Sequence, residues 1–76
     1  MRFYFARSAR RHKIGRAHAL AAIANAGPAL VDQDSLTWTA TDDRGVELHI
    51  VGKIAAEDPD LIIIRHVMPT DLRNPK

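Results

Sequence analysis

The chain has 76 residues, with 11 Lys or Arg against 9 Asp or Glu for a net charge of +2, and no cysteine. A chain this short makes one domain at most, a single compact unit over residues 1–76, and it buries only about 60% of its unfolded surface. The missing cysteine excludes a disulfide framework and a thiolate metal site, and the longest strongly apolar run, Leu61–Ile64, is far below the roughly 20 residues that span a bilayer.

Phe3, Tyr4 and Phe5 predict a short strand from aromatic β-propensity. Ser8 is a candidate N-cap, followed by a helical turn through Arg11 and His12, with a break at Gly15. "GRAHALAAIANAG" is the clearest helix, because alanine and leucine have the highest helix propensities. Ile14, Ala17, Ala21 and Ala24 fall on one stripe, widened by Leu20 and Ile23. Asn25 and Gly27 supply the stop, and Pro28 prevents continuation.

From Pro28 the period becomes two. "LTWTAT" puts Leu36, Trp38 and Ala40 on one face. "DDRG" is a turn that asks Gly45 for a positive φ. "VELHIVGKI" sets Val46, Leu48 and Ile50 against Glu47 and His49, and Gly52 suggests a bulge or bend. "AEDPD" reads as a loop. "LIIIRHVM" is nearly continuous apolar sequence and predicts a central strand covered on both faces, ended by Pro69. "TDLRNPK" reads as a tail, with residues 71–76 loose. The fold class is α+β: one or two N-terminal helices packed on a small antiparallel sheet of three to four strands.

Charge is unevenly distributed. Residues 1–31 hold six basic side chains and no acid, whereas residues 32–76 hold five basic and nine acidic ones. Basic residues ahead of an alanine-rich run, with Ala24-Asn25-Ala26 resembling a cleavage site, have the order of a leader. Cleavage there would remove the only good helix, so the segment is read as part of the domain. Arg7, Arg10, Arg11, Lys13 and Arg16 then form an uncompensated cationic patch, the electrostatic footprint of an RNA-binding surface. An acidic protein is the other partner such a patch suits.

Of the four histidines, His12, His18, His49 and His66, no pair has metal-ligand spacing, so no metal site is expected. His66 reads two ways: hydrogen-bonded in the core, or placed at a working surface, since charge or polarity in a central strand is costly otherwise. Strict alternation puts Arg65 on the face opposite His66. Arg44 sits at the tip of "DDRG", where Asp42 or Asp43 can neutralise it. Thr70 and Arg73 follow the last strand. No phosphate-cradling glycine loop or nucleophile elbow is present.

"RHKI" opening an alanine-rich helix, then "WTATDDRGVELHIV" and "LIIIRHVMPT", resembles the compact BrnT-like toxins of bacterial toxin–antitoxin pairs, a shortened branch of the RelE/ParE superfamily. The resemblance covers roughly residues 7–70. Lys13 stands where the opening motif carries glycine, and "RHVMPT" stands where such toxins more often show serine–alanine–arginine. The absence of cysteine suits a reducing cytoplasm, and the resemblance implies a cofactor-free, metal-independent endoribonuclease acting on mRNA. Its partners would be RNA and a cognate antitoxin, with no membrane, as a dimer or hetero-oligomer. It implies His66 as acid or base, Arg65 or Arg44 as phosphate clamp, and His12 as a candidate partner from the helical head. Because Arg65 is expected on the other face, Arg44 or Arg73 is the better geometric match for His66. A non-catalytic nucleic-acid-binding or protein-interaction module is the alternative.

Overall fold

The structure is a computed structural model that describes residues 2–70. Strand β1 (Arg2–Phe5) leads into a 3₁₀ turn (Arg7–Arg10), then helix α1 (Arg16–Asn25). Strands β2 (Leu30–Asp32), β3 (Ser35–Thr41), β4 (Glu47–Ala55) and β5 (Asp58–Pro69) follow. They form one five-stranded sheet in the order β1-β5-β4-β3-β2. The fold is α+β, as expected, but the sheet is larger and mixed, because β1 runs parallel to β5 while every other pair is antiparallel.

The added strand is β2. Leu30 and Val31 are 76% and 65% exposed, so no buried face marked them as a strand. They pair because Gln33, at φ 59°, folds the chain back within two residues. Gly45, at φ 85°, does the same between β3 and β4, as its sequence position predicted. The expected loop at residues 56–60 is mostly strand: only Ala56 and Glu57 turn, and β5 begins at Asp58. Residues 59–61 lack a β4 partner at a register irregularity, a place that tolerates Pro59, which has no N–H to donate.

The core lies between α1 and one face of the sheet. Leu48, Ile50, Ile62, Ile64 and Val67 are fully buried, each contributing about 1.5–3 kcal/mol of apolar transfer. Trp38 packs edge-on against Phe3 with ring centroids 6.2 Å apart. Gly52 lies on this face because a Cβ there would stand 2.9 Å from Ile62 Cγ2 and 3.1 Å from Ile64 Cδ1.

The helix keeps Ile23 of the expected stripe against the core, and Ile14 ahead of the helix also packs there, but the buried residues between them differ. Ala19 and Ala22 are buried, with Ile23 and Ala26 packed beside them, while Ala17 and Ala24 are exposed. Alanine occupies nearly every face of α1, so apolar spacing cannot choose its rotation. Polar ties do: His18 Nδ1 lies 2.7 Å from Asp43 Oδ1, and Asn25 Nδ2 donates to the Thr41 carbonyl at 3.0 Å. Strand β5 is also covered differently, because α1 shields only one sheet face and no second layer covers the other among the described residues. Among the described residues no helix is long and apolar enough to cross a membrane.

Candidate functional site

The site begins with one extra residue. His66 pairs with Val51, but Gly52 pairs with Ile64, so Arg65 has no partner on β4. This is a β-bulge, which breaks the two-residue alternation and re-aims the side chains around it. Ile64 and Val67 therefore both enter the core although they stand three positions apart, and Arg65 and His66 between them both stay out of it. The core reading of His66 is thereby corrected. So is the placement of Arg65 by strict alternation, since that rule starting from the buried Ile64 would have driven His66 inward.

His66, released to the uncovered face, meets two other histidines. Its ring centroid is 6.0 Å from that of His12 at an interplanar angle of 83°. It is 5.9 Å from that of His49 at 70°. The row continues to Thr39, whose Oγ1 lies 3.4 Å from His49 Nδ1. Each member arrives from a different element. His49 stands on β4 opposite Met68 of β5 and Thr39 of β3. His12 is delivered by the segment after the 3₁₀ turn, where Lys13 takes φ 58° and swings the chain away toward α1. Left-handed backbone is glycine's natural conformation, and Lys13 occupies the position where the "RHKI" resemblance expects glycine.

The 3₁₀ turn differs in detail from its expectation. It covers Arg7–Arg10 rather than Arg11–His12, and its N-cap is Ala6. Ser8 caps nothing. Its hydroxyl donates to the Arg65 carbonyl at 2.6 Å, tying the turn to the bulge.

The five cations of the patch precede or follow His12 closely in the chain, and two of them, Arg10 and Arg16, line a cleft with Phe3 and Phe5 along β1. Arg7, Arg10, Arg11, Lys13 and Arg16 are all exposed. None forms an ion pair among the described residues, whose pairs are Arg2–Asp58, His18–Asp43, Arg44–Asp42 and Lys53–Asp34. Arg16 instead lays its guanidinium over the Phe5 ring, 5.8 Å from the centroid.

Arg44 does not join His66. It belongs to the β3–β4 turn, and His66 faces Val51, four residues into β4, which at about 3.3 Å per residue sets the turn some 13 Å away or more. Its Nε and Nη2 donate to Asp42 Oδ2 at 3.0 and 2.7 Å, while Asp42 Oδ1 accepts the Arg44 and Val46 N–H groups at 2.8 and 3.0 Å. Burial pushes the Asp42 carboxyl up, but the Arg44 side-chain bond and the two backbone N–H groups outweigh it, so Asp42 ionises below the ordinary 3.8. His18, Asp42 and Asp43 bring possible metal-ligand atoms within 4.8 Å of one another. With both Asp42 oxygens accepting hydrogen bonds, this grouping serves the turn. Thr70 Oγ1 donates to Glu47 at 2.8 Å. Arg73 and the expected tail at 71–76 lie outside the described residues.

Sequence reasoning missed His49. Its alternation on "VELHIVGKI" placed it away from the core, but sharing a face with His66 depended on the bulge. No protein-family model, curated protein or solved structure matches the chain.

Proposed function

We propose that this protein is a metal-independent endoribonuclease acting on mRNA, the toxin of a type II toxin–antitoxin pair, with a cytoplasmic site of action. The observation that carries the reading is the His12–His66–His49 row, with Arg11 and Lys13 next to His12 in the chain and in none of the ion pairs among the described residues. Imidazole titrates near neutrality and serves as base or acid. A neutral imidazole of the His12–His66 pair takes the proton of the ribose 2′-OH. The 2′ oxygen bonds to phosphorus, and the bond to the 5′ oxygen breaks. The second, protonated imidazole gives its proton to that leaving oxygen. The products are a 2′,3′-cyclic phosphate and a 5′-OH. Arginine stabilises the charge that develops on the phosphorane; Arg11 of the patch adjoins His12, and Arg65, outside the patch, adjoins His66. The cognate antitoxin would inhibit by covering this face.

Incubating the protein with mRNA, with and without ribosomes and chelator across a pH series, tests this. Cleavage to cyclic phosphate ends with a bell-shaped pH profile is expected. His66→Gln should abolish it while circular dichroism and the melting temperature stay unchanged. RNA binding without cleavage at any pH would leave a non-catalytic nucleic-acid-binding module, which the unneutralised patch alone is enough to make.

A further inference from the structure

Strand β1 is the outermost strand of the sheet, and two clefts run along it. One of about 410 Å³ is lined by Phe3, Phe5, Arg10 and Arg16. The other, of about 630 Å³, is lined by Arg2, Phe3, Arg16 and Leu20. Sharing Phe3 and Arg16, they make one groove with an edge strand on one side and the start of α1 on the other. Ala6 N–H donates to the Ile64 carbonyl at 2.9 Å. Backbone groups alternate along a strand, so Tyr4 also turns toward β5, while Phe3 and Phe5 turn N–H and C=O outward along the groove. Neither has a backbone hydrogen bond outside the β1–β5 ladder among the described residues. Among the described residues no Asp or Glu lines either cleft, and Arg10 and Arg16 are in none of the ion pairs described above.

We propose that an extended acidic segment of a partner protein binds here as a sixth strand. Its main chain would exchange hydrogen bonds with Phe3 and Phe5, its apolar side chains would pack toward Phe3 and Leu20, and its carboxylates would reach Arg10 and Arg16. Strand addition draws affinity from main-chain bonds and specificity from alternate side chains. RNA suits the arginines and rings but cannot complete the N–H and C=O pattern of an open strand. The opposite edge, β2, is three residues long and carries Asp32, so it suits such a segment less. This inference goes beyond ribonuclease activity and does not depend on it.

The test titrates the full ¹⁵N-labelled chain with a synthetic peptide of roughly eight residues alternating glutamate and valine. Its lysine counterpart, the same peptide N-methylated on alternate amides in each of the two phases, and an RNA of similar length are the comparators. Hydrogen exchange at Phe3 and Phe5 should slow with the glutamate peptide. One methylated phase should keep its affinity and the other lose about tenfold, the effect of about 1.4 kcal/mol of lost hydrogen bonding. The lysine peptide should fail to bind, and Arg16→Glu should weaken the glutamate peptide. Absence of binding at millimolar peptide, shifts confined to other strands, equal binding of both methylated phases, or slowing of Phe3 and Phe5 by RNA instead of peptide would each overturn the proposal.

Discussion

The Ser8 hydroxyl donates to the main-chain carbonyl of Arg65 at 2.6 Å, joining residues 57 positions apart. That bond anchors the turn leading to His12 onto the bulge that presents His66. Ser8→Ala should cost about 1 kcal/mol, the usual net value of such a bond, read as a lower urea midpoint. It should also shift the ring resonances of His12 and His66 and leave those of His18 in place. Unmoved His12 and His66 resonances would show that the row is held by other contacts.

The patch is predicted to act through counterion release. Arg10→Ala with Arg11→Ala should weaken RNA binding and flatten its dependence on salt, each lost phosphate contact lowering the log–log slope by about 0.7 on single strands. The measurement is affinity across a salt series. An unchanged slope would place the RNA elsewhere.

Lys13, at φ 58°, holds a backbone conformation in which a side chain costs roughly 1–2 kcal/mol. Glycine removes that strain but gains freedom in the unfolded chain, offsetting roughly 0.5–1 kcal/mol. Lys13→Gly should therefore stabilise the fold by about 0.5–1 kcal/mol in denaturant titration, while removing one positive charge from the patch. A destabilised variant would mean that the Lys13 side chain contributes contacts outweighing its backbone strain.

Asp42 gives a pH dependence of definite sign. Its folded-state ionisation lies below the ordinary 3.8, so the unfolded chain binds its proton more readily. Its contribution to stability is complete above the unfolded value and is lost as pH falls through the lower folded one. The urea midpoint of the native chain should drop between about pH 5 and pH 2 more steeply than that of Asp42→Asn. Parallel curves would remove Asp42 from the acid response.

Much of the strand pattern was legible because burial on one face imposes a period of two. "LTWTAT" put Leu36 and Trp38 inward and "VELHIVGKI" did the same for Leu48 and Ile50, and all four are core. The bend signalled by Gly52 falls beside the bulge. The exposed β2 was invisible for the converse reason: without a buried face it had no period. The rotation of α1 was illegible because alanine on every side leaves the choice to distant partners, Asp43 and the Thr41 carbonyl.

The sequence by itself determined the α+β class, the inward faces of β3 and β4, the glycine turn at Gly45 and the acid-free first third of the chain, since each follows from local propensity, period or composition. Only the tertiary structure decided that β1 pairs beside β5, that one unpaired residue at Arg65 turns His66 out of the core, and that His12, His66 and His49 form a row. Pairing register and the meeting of residues from three separate elements arise from packing between segments far apart in the chain, which no local pattern encodes.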